Sequence, residues 1–248
     1  MGRDFNFIWN KFLKFDWKFG LILLLILCTV RFVIVLNANV TSSYSYVSLI
    51  MILYALIPFI FLSKKGLKQV GIVKPKNYIW LFYSLLIGIA IASLLYVLGY
   101  LLYSTNTENW YVYIGNSYHI PEGIAGKDKF IFFLIMAITG MIFSPIGEEL
   151  FFRGIVHESF SKSLGDKKAS IIDSAAFALV HLSHFGIVYV SGAWKFLFIP
   201  SLLWVTGMFV LCLYFSYCRK KSGSILGSIV SHAGFNLAMI FWIFYGLN

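Results

Sequence analysis

Apolar runs long enough to matter for a bilayer recur along the chain at roughly 19–36, 47–62, 78–103, 130–147, 170–190, 194–217 and 225–245. A membrane span needs about 20 predominantly apolar residues, so the pattern predicts about seven transmembrane helices, the second short and the fifth and sixth close together. Ahead of them, Phe5, Ile8, Phe12 and Phe15 recur at helical spacing among lysines. Residues 1–18 read either as an amphipathic helix lying on the membrane surface or as a frayed terminus. A basic start (Arg3, Lys11, Lys14, Lys18) before an apolar run resembles a signal peptide, but no small-x-small cleavage pattern follows and further spans do. The first run is therefore expected to stay as a helix. The expected fold is all-α: a polytopic helical bundle forming a single transmembrane domain over 19–248, preceded by the segment 1–18.

Composition supports this reading. The chain is 60% hydrophobic and 12% charged, whereas soluble domains run roughly 45–50% apolar and about 25% charged. A net charge of +10 would suit nucleic acid, but the basic residues sit in short clusters between apolar runs, as topology signals do; no nucleic-acid partner is expected. Lys64, Lys65, Lys68, Lys74 and Lys76, then Lys162, Lys167 and Lys168, then Arg219, Lys220 and Lys221 all fall on the same face as the N-terminal cluster if there are seven spans. The other face holds Lys127, Lys129 and Lys195. By the positive-inside rule the N-terminus lies inside, the C-terminus outside, and the loop 104–129 outside. The Lys/Ile/Phe/Asn-rich make-up points to a bacterial cytoplasmic membrane. Cys28, Cys212 and Cys218 form no CxxC and read as small packing residues.

Ionisable residues inside spans are expensive, which makes each one a functional candidate. They are Arg31, Glu148, Glu149, Arg153, Asp173, His181, His184 and His232, joined by the amide of Asn236. Adjacent carboxylates in an apolar setting repel, so at least one of Glu148 and Glu149 needs a proton or a cationic partner. Residues four apart share a helix face and residues five apart diverge; Glu149 is the expected partner of Arg153, leaving Glu148 free for chemistry. A salt-bridged helix end at the interface would use the same residues. Phe177 and His181 are four apart, whereas His184 has no motif support and reads as a hydrogen-bonded packing residue. His232 and Asn236 are also four apart. Either Asn236 orients His232, or both donate to a developing oxyanion, or both are interhelical glue. At about 1.5 Å per residue, Glu148 lies some 27 Å from the Phe130 end of its span, and His181 and His232 lie roughly 10–17 Å from the inner ends of theirs. A shared site in the inner half, opening towards the cytosolic side, is expected.

These motifs carry a resemblance. Glu148-Glu149-Leu-Phe-Phe-Arg153, Phe177-Ala-Leu-Val-His181 and His232-Ala-Gly-Phe-Asn236 stand in the order EExxxR, FxxxH, HxxxN, with a stretch from Phe209 leading into Ser222-Gly-Ser-Ile225 before the last. Over about 130–245 the chain resembles the CAAX protease and bacteriocin-processing family, also called Abi, of membrane peptidases. One position departs: a glycine often expected three residues after that Phe is Cys212, which bears on helix packing there rather than on chemistry. The resemblance implies peptide-bond hydrolysis in or beside the membrane. Glu148 would be the general base on a water, helped by His181; His232 and Asn236 would stabilise the oxyanion; Glu149 and Arg153 would hold the helix and tune the site. The family is often called metalloprotease, and Glu148, His181 and His232 can ligate zinc with an open water position. A metal-free glutamate mechanism uses the same residues without an HExxH, and both stay open. The expected partners are the lipid bilayer and a membrane-associated peptide or protein substrate, such as a bacterial signalling or bacteriocin-type peptide. A non-enzymatic immunity factor or scaffold is the nearest rival. A transporter would need polar residues from face to face, and these cluster in one half.

Overall fold

Asp16 starts the first long helix by accepting hydrogen bonds from the backbone N–H groups of Lys18 and Phe19, donors that a helix otherwise leaves free in its first turn. In the computed structural model, which describes residues 3–247, α1 (Trp17–Thr41) then runs unbroken until Ser42 turns left-handed at φ 56°. Met1, Gly2 and Asn248, at the ends of the two expected segments, lie outside the described residues. There follow α2 (Ser45–Phe61), α3 (Lys64–Gln69), α4 (Ile79–Tyr103), α5 (Trp110–Asn116) and α6 (Gly126–Glu149). The last passes without a break through a π-helical stretch, Leu150–Val156, into α7 (His157–Leu164). The chain ends with α8 (Asp166–Val180), a hairpin of β1 (Ile187–Val190) and β2 (Ala193–Phe196), α9 (Phe198–Ser222) and α10 (Ile225–Tyr245). By length and composition α1, α4, the α6–α7 rod, α9 and α10 can each cross a membrane, and α2 is a shorter apolar helix. The protein is a multi-pass helical membrane bundle.

Two stretches differ from the sequence reading. The expected span 170–190 is helical only to Val180. His181–Ser183 form a 3-10 turn, and β1 pairs antiparallel with β2 so that Val190 faces Ala193. Between them Ser191 and Gly192 both have positive φ, 53° and 80°, as a two-residue hairpin turn requires. The apolar run is thus a twisted ribbon flanking a turn and not the second half of a helix. At the N-terminus, the spacing that suggested a helix gives only one 3-10 turn, Trp9–Lys11. Phe5 is buried and packs edge-on against Phe15 and Phe19, with ring centroids 5.3 and 4.9 Å away. Asp4 pairs with Lys162 at 2.6 Å and Lys65 at 3.2 Å. The segment is folded onto the bundle, with Phe7, Ile8 and Phe12 left exposed.

The basic clusters meet at one end of the bundle: Lys162 reaches Asp4, Lys220 pairs with Asp166, and the Lys76 amide bonds Ser222 O. The opposite end carries α5 and the hairpin, joined where the Tyr189 N–H donates to Tyr113 Oη at 2.8 Å. α10 packs against α4, α6 and α9. Its contact with α4 is backbone to backbone. A Cβ on Gly88 would fall 1.9 Å from Ser231 O, and one on Gly234 would fall 2.4 Å from Leu85 O; only glycine permits that approach. Such small-residue crossings are how membrane helices gain close packing.

Candidate active site

The two glutamates sit where α6 passes into its π-helical stretch, a distortion frequent at functional sites. Beside them α2 comes close: a Cβ on Gly147 would lie 2.4 Å from Met51 O. Adjacent in sequence, Glu148 and Glu149 point into different surroundings. Glu149 is fully buried, with one oxygen 3.3 Å from Arg153 Nε and the other 2.8 Å from His232 Nδ1. The expected Glu149–Arg153 pair therefore forms. Glu148, expected to be free, is not: its Oε1 accepts from Arg31 Nη2 at 2.6 Å and from Ser144 Oγ at 3.2 Å. Its Oε2 has no hydrogen-bond partner and lies 4.0 Å from His232 Nε2. Sequence reasoning singled out Arg31 but gave it no role.

Aromatic rings hold the histidines. His181 stacks on Phe177 at 4.2 Å and places Nδ1 2.7 Å from Phe177 O. A carbonyl only accepts, so Nδ1 carries the hydrogen and Nε2 presents a lone pair. That lone pair faces Arg31 Nη2 at 3.5 Å, and His184 Nε2 lies 3.4 Å from the same nitrogen. His184, read as a packing residue, thus belongs to the cluster. His232 stacks on Phe215 at 4.8 Å. Arg153 lies against Phe177 and Phe215, 4.5 and 5.2 Å from their centroids, a cation–π arrangement suited to a buried guanidinium. Cys212, at the departing position, places its sulfur against Arg153 Nη2. Asn236 does not orient His232, since Glu149 does; its Nδ2 donates to Gly140 O at 2.8 Å. Asp173 lies apart, 2.6 Å from His157 Nδ1, and the other nitrogen of that ring is 2.9 Å from Asp166. Partial burial pushes the Asp166 carboxyl up, but hydrogen bonds from Lys220 and His157 outweigh it and hold it below its ordinary range.

A cavity of about 450 Å³ is lined by Glu148, His181, His184, His232, Asn236 and Arg31. Glu149 and Arg153, both without exposed surface, stand behind it. The cavity continues between α2 and α6, past Val47, Ser48, Thr139 and Phe143, to Ser117 and Tyr118 just beyond α5. It therefore extends away from the basic end, not towards it as the depth argument suggested. On the basic side the rings of Tyr54, Phe151 and Phe152 are fully buried, Tyr54 stacked on Phe151 at 4.2 Å. The helices touch at Gly147 and Met51 and part beyond that contact.

Zinc on Glu148, His181 and His232 does not fit this donor set. The Arg31 guanidinium lies between Glu148 and His181, 2.6 and 3.5 Å from them, and its charge opposes a second cation at the same oxygen. Among the described residues no group of three or more His, Cys, Asp or Glu side chains is placed to hold a metal ion.

No curated protein and no solved structure matches the chain. A family model described as type II CAAX prenyl endopeptidase Rce1-like matches residues 130–238. That segment contains Glu148, Glu149, Arg153, His181, His232 and Asn236 together. Residues 130–238 thus match the Rce1-like type II CAAX prenyl endopeptidase family, the same family grouping to which the three motifs point.

Proposed function

We propose that the protein is a membrane-embedded endopeptidase in which Glu148 activates water against a peptide bond held in the cavity between α2 and α6. The observation that carries this reading is the division of labour between neighbouring carboxylates. Glu148 lines the cavity and has one oxygen, Oε2, without a hydrogen-bond partner, while Glu149 stands behind it and grips the His232 ring.

A water beside Glu148 Oε2 and the His181 Nε2 lone pair gives its proton to Glu148 as its oxygen bonds the scissile carbonyl carbon. The carbonyl oxygen takes up negative charge. With Glu149 accepting from Nδ1, His232 can carry a second hydrogen on Nε2 as an imidazolium and donate it to that oxygen; Asn236 supplies the other donor. When the C–N bond breaks, the proton held by Glu148 passes to the leaving nitrogen, so the carboxylate is regenerated and one water is consumed. Arg153, fixed between Phe177 and Phe215, keeps Glu149 in place throughout.

The substrate class follows from the walls. Val47, Met51, Phe143 and Met239 make the cavity largely apolar, which suits a peptide held at the membrane by a lipid or an apolar segment. A bacterial signalling or bacteriocin-type precursor is such a chain. The test is cleavage of a fluorogenic membrane-associated peptide by detergent-purified protein, comparing wild type with Glu148→Ala, His181→Ala and His232→Ala. Loss in all three folded variants supports the peptidase. Full activity in Glu148→Ala removes the proposed base, and a cellular phenotype indifferent to all three favours a non-enzymatic scaffold. A chelator arm tests the metal-free mechanism directly.

A further inference from the structure

Arg31 comes from α1, outside the matched segment, yet its guanidinium stands in the middle of the site. It is 2% exposed. A single nitrogen, Nη2, makes every contact described for it: Glu148 Oε1 at 2.6 Å, His181 Nε2 at 3.5 Å and His184 Nε2 at 3.4 Å. Nη1 and Nε are buried with no hydrogen-bond partner. Buried donors are rarely left unpaired, because each costs the desolvation of an N–H group, and a guanidinium is a fixed planar fork whose donors act together. Here the fork is engaged on one prong and the residue lines a cavity of about 450 Å³.

We infer that Arg31 is a further functional residue of the site: it fixes the Glu148 side chain through Nη2 and offers Nη1 and Nε to a carbonyl oxygen of the substrate backbone beside the scissile bond. This rests on Glu148 being the base. Without the guanidinium, Glu148 would face Ser144 from its own helix and His232 from α10, with no permanent cation touching it. Arginine only donates, so the His181 and His184 nitrogens that meet Nη2 do so as acceptors.

The experiment is steady-state cleavage of the membrane-associated peptide by Arg31→Gln and Arg31→Lys, with Glu148→Gln as control. Arg31→Gln is expected to lose about 10²-fold in kcat and to raise KM. Arg31→Lys keeps a cation beside Glu148, so its kcat falls less than that of Arg31→Gln. An ammonium cannot serve Glu148 and a substrate oxygen as a planar fork does, so its KM rises roughly tenfold. A wild-type kcat and KM in Arg31→Gln would overturn the inference. Equal losses of kcat in both variants with KM unmoved would reduce Arg31 to packing and overturn it too. If Arg31→Gln does not fold, Arg31→Lys decides alone: a wild-type KM rejects the bridge. Activity in Glu148→Gln would instead strike the peptidase reading itself, an outcome separate from any of these.

Discussion

Glu148 and Glu149 are neighbours on one helix, and each meets an arginine and a histidine, yet the two surroundings differ in kind. Around Glu149 every partner is local or rigidly clamped: Arg153 is four residues on, held against Phe177 and Phe215, and His232 is stacked on Phe215. Around Glu148 the cation arrives from α1, 117 residues away in sequence, one carboxylate oxygen lacks a partner, and a cavity adjoins. Both networks keep buried polar atoms without a hydrogen-bond partner: Glu149 Oε2 with Arg153 Nε and Nη1 in the first, Glu148 Oε2 with Arg31 Nε and Nη1 in the second. What separates them is place: the first is sealed behind the cavity and the second lines it, and chemistry is sought where such groups sit in a cleft.

The contrast can be broken at several points. Glu148→Gln keeps the shape of the side chain and removes the base, so activity on the membrane-associated peptide should fall by about 10³-fold or more while thermal unfolding in detergent shows a folded protein. Glu149→Gln leaves the proposed base in place and should cost about 3–5 kcal/mol of stability by leaving Arg153 with a buried uncompensated charge, a penalty of the kind Glu148→Gln also incurs at Arg31; a midpoint equal to wild type would show the network to be dispensable. Asn236→Ala removes one oxyanion donor and should lower kcat by about 10²-fold with little change in KM. The smallest effect lies at the basic end. Partial burial pushes the Asp4 carboxyl up, but the hydrogen bonds from Lys162 and Lys65 prevail and hold it below its ordinary range. A depressed carboxyl stabilises the folded form above its ordinary value and stops doing so as pH falls through its folded one. Docking of the N-terminal segment should therefore be intact at neutral pH and loosen only in acid, by less than about 1 kcal/mol for a half-exposed pair, as limited proteolysis of that segment would report.

Much of this was legible in the chain because it depends on short spacing. The Glu149–Arg153 pair follows from a four-residue interval, and the Phe177 ring beneath His181 from another. Five of the expected spans contain the helices that can cross a membrane, since length and hydropathy decide them. What was not legible depends on distant encounters. Counting could have flagged Arg31: two carboxylates and one nearby arginine leave a charge unmatched, and Arg31 is the other cation within an apolar span. No spacing rule reaches across 117 residues, however. His184 has no motif to mark it, and its partner is that same arginine. The hairpin hid in an apolar run because Ser191-Gly192, the two residues that adopt positive φ, are a brief interruption among Ile, Val, Tyr and Trp. Where the cavity leads could not be read at all, because it is set by the point at which α2 and α6 part company.

That parting changes how reaction rates should be reckoned. A bilayer-anchored peptide drawn into the space between α2 and α6 would arrive by diffusion within a sheet, so the relevant abundance of substrate would be molecules per unit area of bilayer rather than per litre. Diluting such a preparation with buffer would leave the turnover of a firmly anchored peptide unchanged, whereas adding empty lipid would slow it. Apparent constants measured in micelles would then track the detergent-to-protein ratio as much as the chemistry at Glu148.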